Sequence, residues 1–104
     1  NYTVLGRRRI VRTVTASYDA PTETVMTACM EAVEATANIL PDPAPAVHLT
    51  DYGASSIEYT IYCWCTVENY WPAYHSINEK LRDTFAKHNV EMTYDHLNVH
   101  ILDK

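Results

Sequence analysis

The sequence has only two glycines, Gly6 and Gly53, and no apolar run long enough to cross a bilayer. A loop that cradles phosphate needs several closely spaced glycines, so two isolated ones exclude a nucleotide-binding loop of that kind. A membrane-spanning helix needs about 20 consecutive apolar residues, and we therefore expect no such helix within these 104 residues. What the chain does have is 47% hydrophobic content, which suits one domain with its own core.

Basic residues are scarce and unevenly placed. Four of the eight, Arg7, Arg8, Arg9 and Arg12, precede all 13 acidic residues, and the formal net charge is −5. Phosphate binding needs a basic face, so the acidic body argues against nucleic acid as a partner. The arginines could bind phosphate or lipid headgroups, but a solvated segment or a seam with an acidic neighbour is the simpler interpretation.

Six segments with alternating or helical periodicity follow one another along the chain. They predict strands at 9–18, 47–52, 56–67 and 97–101, and helices at about 20–37 and 70–88. Asp19 is expected to cap the first helix, and Asn89 to end the second in a left-handed conformation with Val90 as its hydrophobic contact. The β-α-β-β-α-β order predicts an α+β, ferredoxin-like two-layer sandwich, in which two helices cover one face of an antiparallel sheet.

The stretch IYCWC places two cysteines on one face of the longest predicted strand. Because side chains alternate along a strand, Cys63 and Cys65 share the more apolar face, which should meet the helices. Cys29 falls on the inward stripe of the first helix. Two cysteines one residue apart in a strand match zinc knuckles poorly and point in parallel, which disfavours a disulfide. We therefore predict three free core thiols, a reducing compartment, and neither a metal nor another cofactor.

No catalytic pattern is present. The five histidines lie on different predicted elements and form neither an HxH nor an HExxH pair; they are His48, His75, His88, His96 and His100. No Ser-His-Asp set can be assigned from spacing alone. The sequence therefore predicts that the chain is not an enzyme.

Tyr62 and Trp64 occupy the other face of the same strand. In a two-layer domain that face has no helical cover. Aromatic residues are enriched at the centres of protein interfaces, so the pair is a candidate interface. An exposed aromatic pair without a partner is the alternative, because such pairs are common on monomer surfaces.

Three stretches covering residues 8–101 carry a family resemblance: RRIVRTVTASYDAP, LPDPAPAVHLTDYGASSIEYTIYCW and NYWPAYHSINEKLRDTFAKHNVEMTYDHLNVHI. In this order and spacing they resemble the C-terminal cytoplasmic region of the mechanosensitive channel of small conductance (MscS) family. The chain departs from the family at three places. Asn89 stands where the family usually has glycine, residues 94–96 replace an aromatic-proline pair, and Cys63 and Cys65 flank the family's tryptophan position.

The resemblance implies a soluble cage domain of a homo-heptameric, tension-gated channel that releases small solutes during osmotic downshock. Residues 1–7 would be the tail end of a preceding β-rich domain, and residues 8–104 the C-terminal cytoplasmic α/β domain of the channel cage. The location would be the cytoplasmic side of the bacterial inner membrane. The partners would be other copies of the chain, together with permeating ions and small solutes.

The resemblance also gives roles to two sets of residues. Tyr62 and Trp64 become the candidate subunit interface. Arg7, Arg8 and Arg9 become a candidate portal or inter-domain charge cluster.

Two other functions stay open. A small-molecule-binding regulatory module of ferredoxin-like fold would show a ligand-dependent rise in melting temperature. A metal or redox protein would contain zinc or a reactive thiol with a lowered pKa.

Overall fold

The computed structural model describes residues 6–92. Its elements are β1 Arg7–Ser17, α1 Thr22–Glu34, β2 Ala46–Tyr52, β3 Ser56–Thr66 and α2 Tyr70–Lys87. The strands form an antiparallel sheet in the order β1-β3-β2, so the predicted α+β class is confirmed. The fourth predicted strand, at 97–101, lies outside the described residues.

The central strand β3 supplies the sheet's share of the core. Its alternate residues are all buried: Ile57, Tyr59, Ile61, Cys63 and Cys65. β1 pairs with β3 along the whole strand, from Arg7 opposite Thr66 to Ser17 opposite Ser56. Arg7, which the resemblance places at the end of the preceding segment, is the first residue of β1.

Both helices place one apolar stripe on the same face of the sheet. The buried residues are Val25, Ala28, Cys29, Ala32 and Val33 of α1, and Ala73, Ile77, Leu81 and Phe85 of α2. Periodicity of 3.6 residues predicted these stripes because such spacing brings side chains to one side of a helix. Within residues 6–92, neither helix combines the length and the apolar character that a membrane crossing requires.

The ends of α1 differ from their prediction. Asp19 is not the cap: Pro21 occupies that position, with no side-chain hydrogen bond to the helix. A turn comes first, because Ala20 N–H donates to Ser17 O (3.1 Å) and Asp19 N–H donates to Ser17 Oγ (3.1 Å). The helix also stops at Glu34 and not near residue 37.

The end of α2 confirms its prediction. Asn89 has a positive φ of 59°. Its N–H donates to Ala86 O (3.1 Å), and Val90 N–H donates to Phe85 O (2.8 Å). This pair of bonds is a Schellman motif, which satisfies the last carbonyls of a helix. Val90 is buried against the core, as expected of the hydrophobic contact in that motif.

We predict that Asn89→Ala lowers the free energy of unfolding by about 1 kcal/mol, because alanine tolerates the left-handed conformation less well than asparagine. Asn89→Gly is the matched variant and should retain stability, since glycine adopts positive φ without steric cost. Urea unfolding of the three proteins measures the difference. Equal losses in both variants would show that the asparagine side chain matters and not its backbone conformation.

Candidate functional site

The face of the sheet turned away from the helices is called the open face below. It carries alternate residues of two strands: Arg7, Arg9, Val11 and Thr13 of β1, and Glu58, Thr60, Tyr62 and Trp64 of β3. Most of them are half-buried or exposed, but Thr60 is only 4% exposed. Its hydroxyl lies 3.0 Å from that of Thr50 and 3.5 Å from that of Thr13, in a row across the sheet.

Tyr62 and Trp64 of the open face lie beneath arginines. The guanidinium carbon of Arg7 is 5.4 Å from the ring centroid of Trp64, and that of Arg9 is 5.4 Å from the ring centroid of Tyr62. In the antiparallel register Arg9 pairs with Trp64, so each arginine extends over the ring diagonally across from it. Each such contact contributes about 0.5–1 kcal/mol at an exposed site. The surface is therefore a layer of guanidinium groups on aromatic rings and not a bare apolar patch.

The arginine next to these two points the other way. Arg8 lies on the helix side of β1, with its guanidinium carbon 3.9 Å from the ring centroid of Tyr70 at the start of α2. Arg12 follows on the same side, 6.0 Å from the ring centroid of Tyr74, and its Nε donates to Asn78 Oδ1. The predicted cluster at positions 7–9 is thus divided between two faces of the sheet.

A group of four rings at the start of α2, the α2 aromatic cluster, was missed from the sequence. It consists of Tyr70, Trp71, Tyr74 and His75. Their contacting ring centroids lie between 4.9 and 6.1 Å apart, and Trp71 is 56% exposed. The signal was present in the stretch YWPAYH, where i, i+1, i+4 and i+5 spacing brings four rings together on a helix.

The arginines at this end of the domain have no acidic partners within the part of the chain that the structure describes. Among residues 6–92, no carboxylate oxygen lies within 4.0 Å of Arg7, Arg8, Arg9 or Arg12. Stacking uses the flat face of a guanidinium and leaves its in-plane N–H donors available. Arg7 and Arg12 use some of their donors on Asp42 O, Asn78 Oδ1 and Thr13 O. Arg8 and Arg9 therefore present positive charge, and donors that no group of residues 6–92 accepts from, to acidic groups from outside.

The family model described as "Mechanosensitive ion channel MscS, C-terminal" matches residues 10–92. The chain belongs to this family. The match contains both helices and nearly all of the sheet, so it covers the described domain and not one motif within it.

Two relatives place the MscS-family domain within longer proteins. The small-conductance mechanosensitive channel of Edwardsiella ictaluri is 26% identical over 101 residues, which are 97% of this chain and 35% of that protein. An uncharacterized MscS family protein of Haemophilus influenzae is 24% identical over 94 residues, 89% of this chain and 8% of that protein. The chain thus spans a minor part of each relative.

Solved MscS-family structures share the fold. The closed-state crystal structure of Helicobacter pylori MscS has a TM-score of 0.79 at 20% identity, covering 86% of this chain and 36% of that chain. The cryo-EM structure of Arabidopsis thaliana MSL1 has a TM-score of 0.70 at 19% identity, covering 86% and 35%. At these identities the likeness establishes the fold.

The cysteines of this MscS-family domain are packing residues, as predicted. Cys29, Cys63 and Cys65 are free and fully buried. Burial raises the pKa of Cys29 to about 12 and that of Cys63 to about 11. Burial also raises the pKa of Cys65, against a lowering effect of Arg8. Because the thiolate is the reactive form, these thiols are poor nucleophiles and poor metal ligands. In the part of the chain that the structure describes, no three His, Cys, Asp or Glu side chains are placed to hold a metal ion.

A cavity of about 230 Å³ lies where the start of α1 meets the end of α2, between Pro21 and His88. Ligand pockets usually measure about 300–1,000 Å³. The cavity is smaller than that range, and it lies apart from the arginines and aromatic rings. It gives little support to a small-molecule-binding module.

We predict that the free energy of unfolding falls as the pH rises from 9 to 11, partly because of Cys63. Its pKa is about 11 in the folded protein against an ordinary 9.0, so unfolding releases a proton in this interval and becomes more favourable. Cys63→Ala should show a shallower decline, because it removes this thiol and leaves every other group in place. Urea unfolding across this pH range measures the two slopes, and identical slopes would show that Cys63 does not titrate differently on folding.

Proposed function

We propose that the chain is the C-terminal cage domain of a tension-gated small-conductance mechanosensitive channel, on the cytoplasmic side of the membrane. Membership of the MscS C-terminal family and the channel name of the Edwardsiella relative support this role. The observation that carries it within the fold is the open face, where half-buried Tyr62 and Trp64 lie beneath arginines on a side that the helices leave free. A domain with such a face is suited to assembly.

The most direct test is electrical. Patch recording of the full-length protein in a bilayer should show currents that appear when suction raises membrane tension. A protein that assembles in the bilayer but shows no tension-dependent current would contradict the channel role.

The assembly we propose is a closed ring of identical subunits, a heptamer as the resemblance implies. A ring with more than two members needs a heterologous interface, in which two different surfaces of the same chain meet. We propose that the open face around Tyr62 and Trp64 is one of these surfaces. Aromatic side chains at interface centres typically contribute about 2 kcal/mol or more when truncated.

We predict that Trp64→Ala reduces the heptamer population of the full-length channel, because it removes both an aromatic contact and the ring on which Arg7 stacks. Native mass spectrometry in detergent measures the population. Tyr52→Ala is the matched control, since Tyr52 is 66% exposed at the opposite end of the sheet. A heptamer population equal to that of the unsubstituted channel would contradict the interface role of Trp64.

We also propose that Arg7, Arg8 and Arg9 lie near the route by which ions and solutes reach the pore, where the cage domain meets the domain before it. The absence of acidic partners for Arg7 and Arg9 within residues 6–92 supports this, because unpaired cations raise the local concentration of anions at an entrance.

Arg9→Gln tests the charge role. Removing one positive charge per subunit should shift the reversal potential of the channel in a salt gradient toward cation preference. Arg82→Gln, on the exposed side of α2, is the control that removes the same charge elsewhere. The same shift in both variants would mean that only the total charge matters. No shift in either variant would show that Arg9 does not lie near the ion route.

A further inference from the structure

The two edges of the sheet carry different side chains at the level of Cys65. Arg8 pairs with Cys65, and Cys65 is bridged on its other side to Ile39, so the three residues form one row across the sheet. The α2 aromatic cluster stacks on Arg8 at one end of this row. The loop that follows Ile39 leaves from the other end.

This loop, Pro41–Pro45, is called the proline loop below. It reads PDPAP, and its first four residues are exposed. Two bonds fix it beside the open face: Leu40 N–H donates to Trp64 O (2.8 Å), and Arg7 Nη1 donates to Asp42 O (3.4 Å). The carboxylate of Asp42 has no cation within 4.0 Å among residues 6–92. An apolar, rigid loop with one unpaired negative charge thus projects from this flank.

The α2 aromatic cluster has the complementary chemistry. Exposed tryptophan and tyrosine rings are the surfaces on which proteins recognise proline-rich segments, because the proline ring packs flat on an aromatic face. Trp71 is 56% exposed, and Arg8 stacks beside it on Tyr70 with no hydrogen-bond acceptor for its guanidinium among residues 6–92. A segment with prolines and one carboxylate matches both features.

The sheet separates the two surfaces within one chain, so a contact between them joins two copies. We propose that the proline loop of one subunit packs on the α2 aromatic cluster of the next, with the Asp42 carboxylate against Arg8. This inference rests on the proposed homo-oligomer and names the second surface of its interface. The contact is heterologous and repeats from copy to copy, as a closed ring requires. Since Leu40 is bonded to Trp64, the proline loop and the open face form one continuous surface.

A charge exchange in the full-length channel tests the pairing. Asp42→Arg and Arg8→Glu should each weaken subunit association about tenfold, because each places like charges together across the interface. The double variant restores opposite charges and should recover most of the heptamer in native mass spectrometry. If the double variant loses as much association as the two single variants together, the pairing is wrong. Two substitutions that each act separately would not reverse one another.

Cross-linking supplies a second test that keeps both charges. Ala44→Cys combined with His75→Cys should give a ladder of covalently linked subunits with a short bis-maleimide, while the buried native cysteines do not react. Tyr52→Cys with His75→Cys is the control, because Tyr52 lies at the far end of the sheet. A heptamer that forms no ladder, or forms it equally with the control pair, would overturn the contact and leave the proposed channel role intact. A full-length protein that is not a homo-oligomer would overturn both.

Discussion

The alternation of side chains along β3 is the constraint on which both faces of the domain depend. Ile61, Cys63 and Cys65 turn toward the helices, and Tyr62 and Trp64 turn away. A shift of one residue in register would exchange the two sets and bury the rings in place of the core. β1 fixes the register of β3, because the two strands pair over their whole length. The core and the candidate interface are therefore specified together.

The same alternation in β1 gives one arginine-rich stretch two surfaces. Arg7 and Arg9 cover the rings of the open face, whereas Arg8 and Arg12 reach the rings at the start of α2. Each cation is held by stacking and is not neutralised by a carboxylate of the described residues. An acidic chain with its positive charge concentrated at one end favours oriented contact between unlike surfaces over pairing of like ones.

Much of the fold followed from local patterns. Strand alternation predicted the buried cysteines, helical spacing predicted the stripes of α1 and α2, and Asn89 before Val90 predicted the left-handed helix end. Asp19 failed as a cap because the turn at Ser17 uses its backbone first. The spacing of the α2 aromatic cluster was legible in the sequence, but the stacking of Arg8 and Arg12 on it was not, because that contact depends on how closely α2 crosses β1. The channel role is proposed from the family resemblance, whereas the residues alone indicate only an assembly module.

The burial of all three thiols protects them from oxidation in the folded domain. Peroxides attack thiolates, and solvent must reach the sulfur for a sulfenic acid or a mixed disulfide to form. Cys29, Cys63 and Cys65 meet neither condition in the folded state. A domain whose three sulfur atoms are buried beneath two helices keeps its core packing through a change in redox conditions, because no thiolate is available for oxidation.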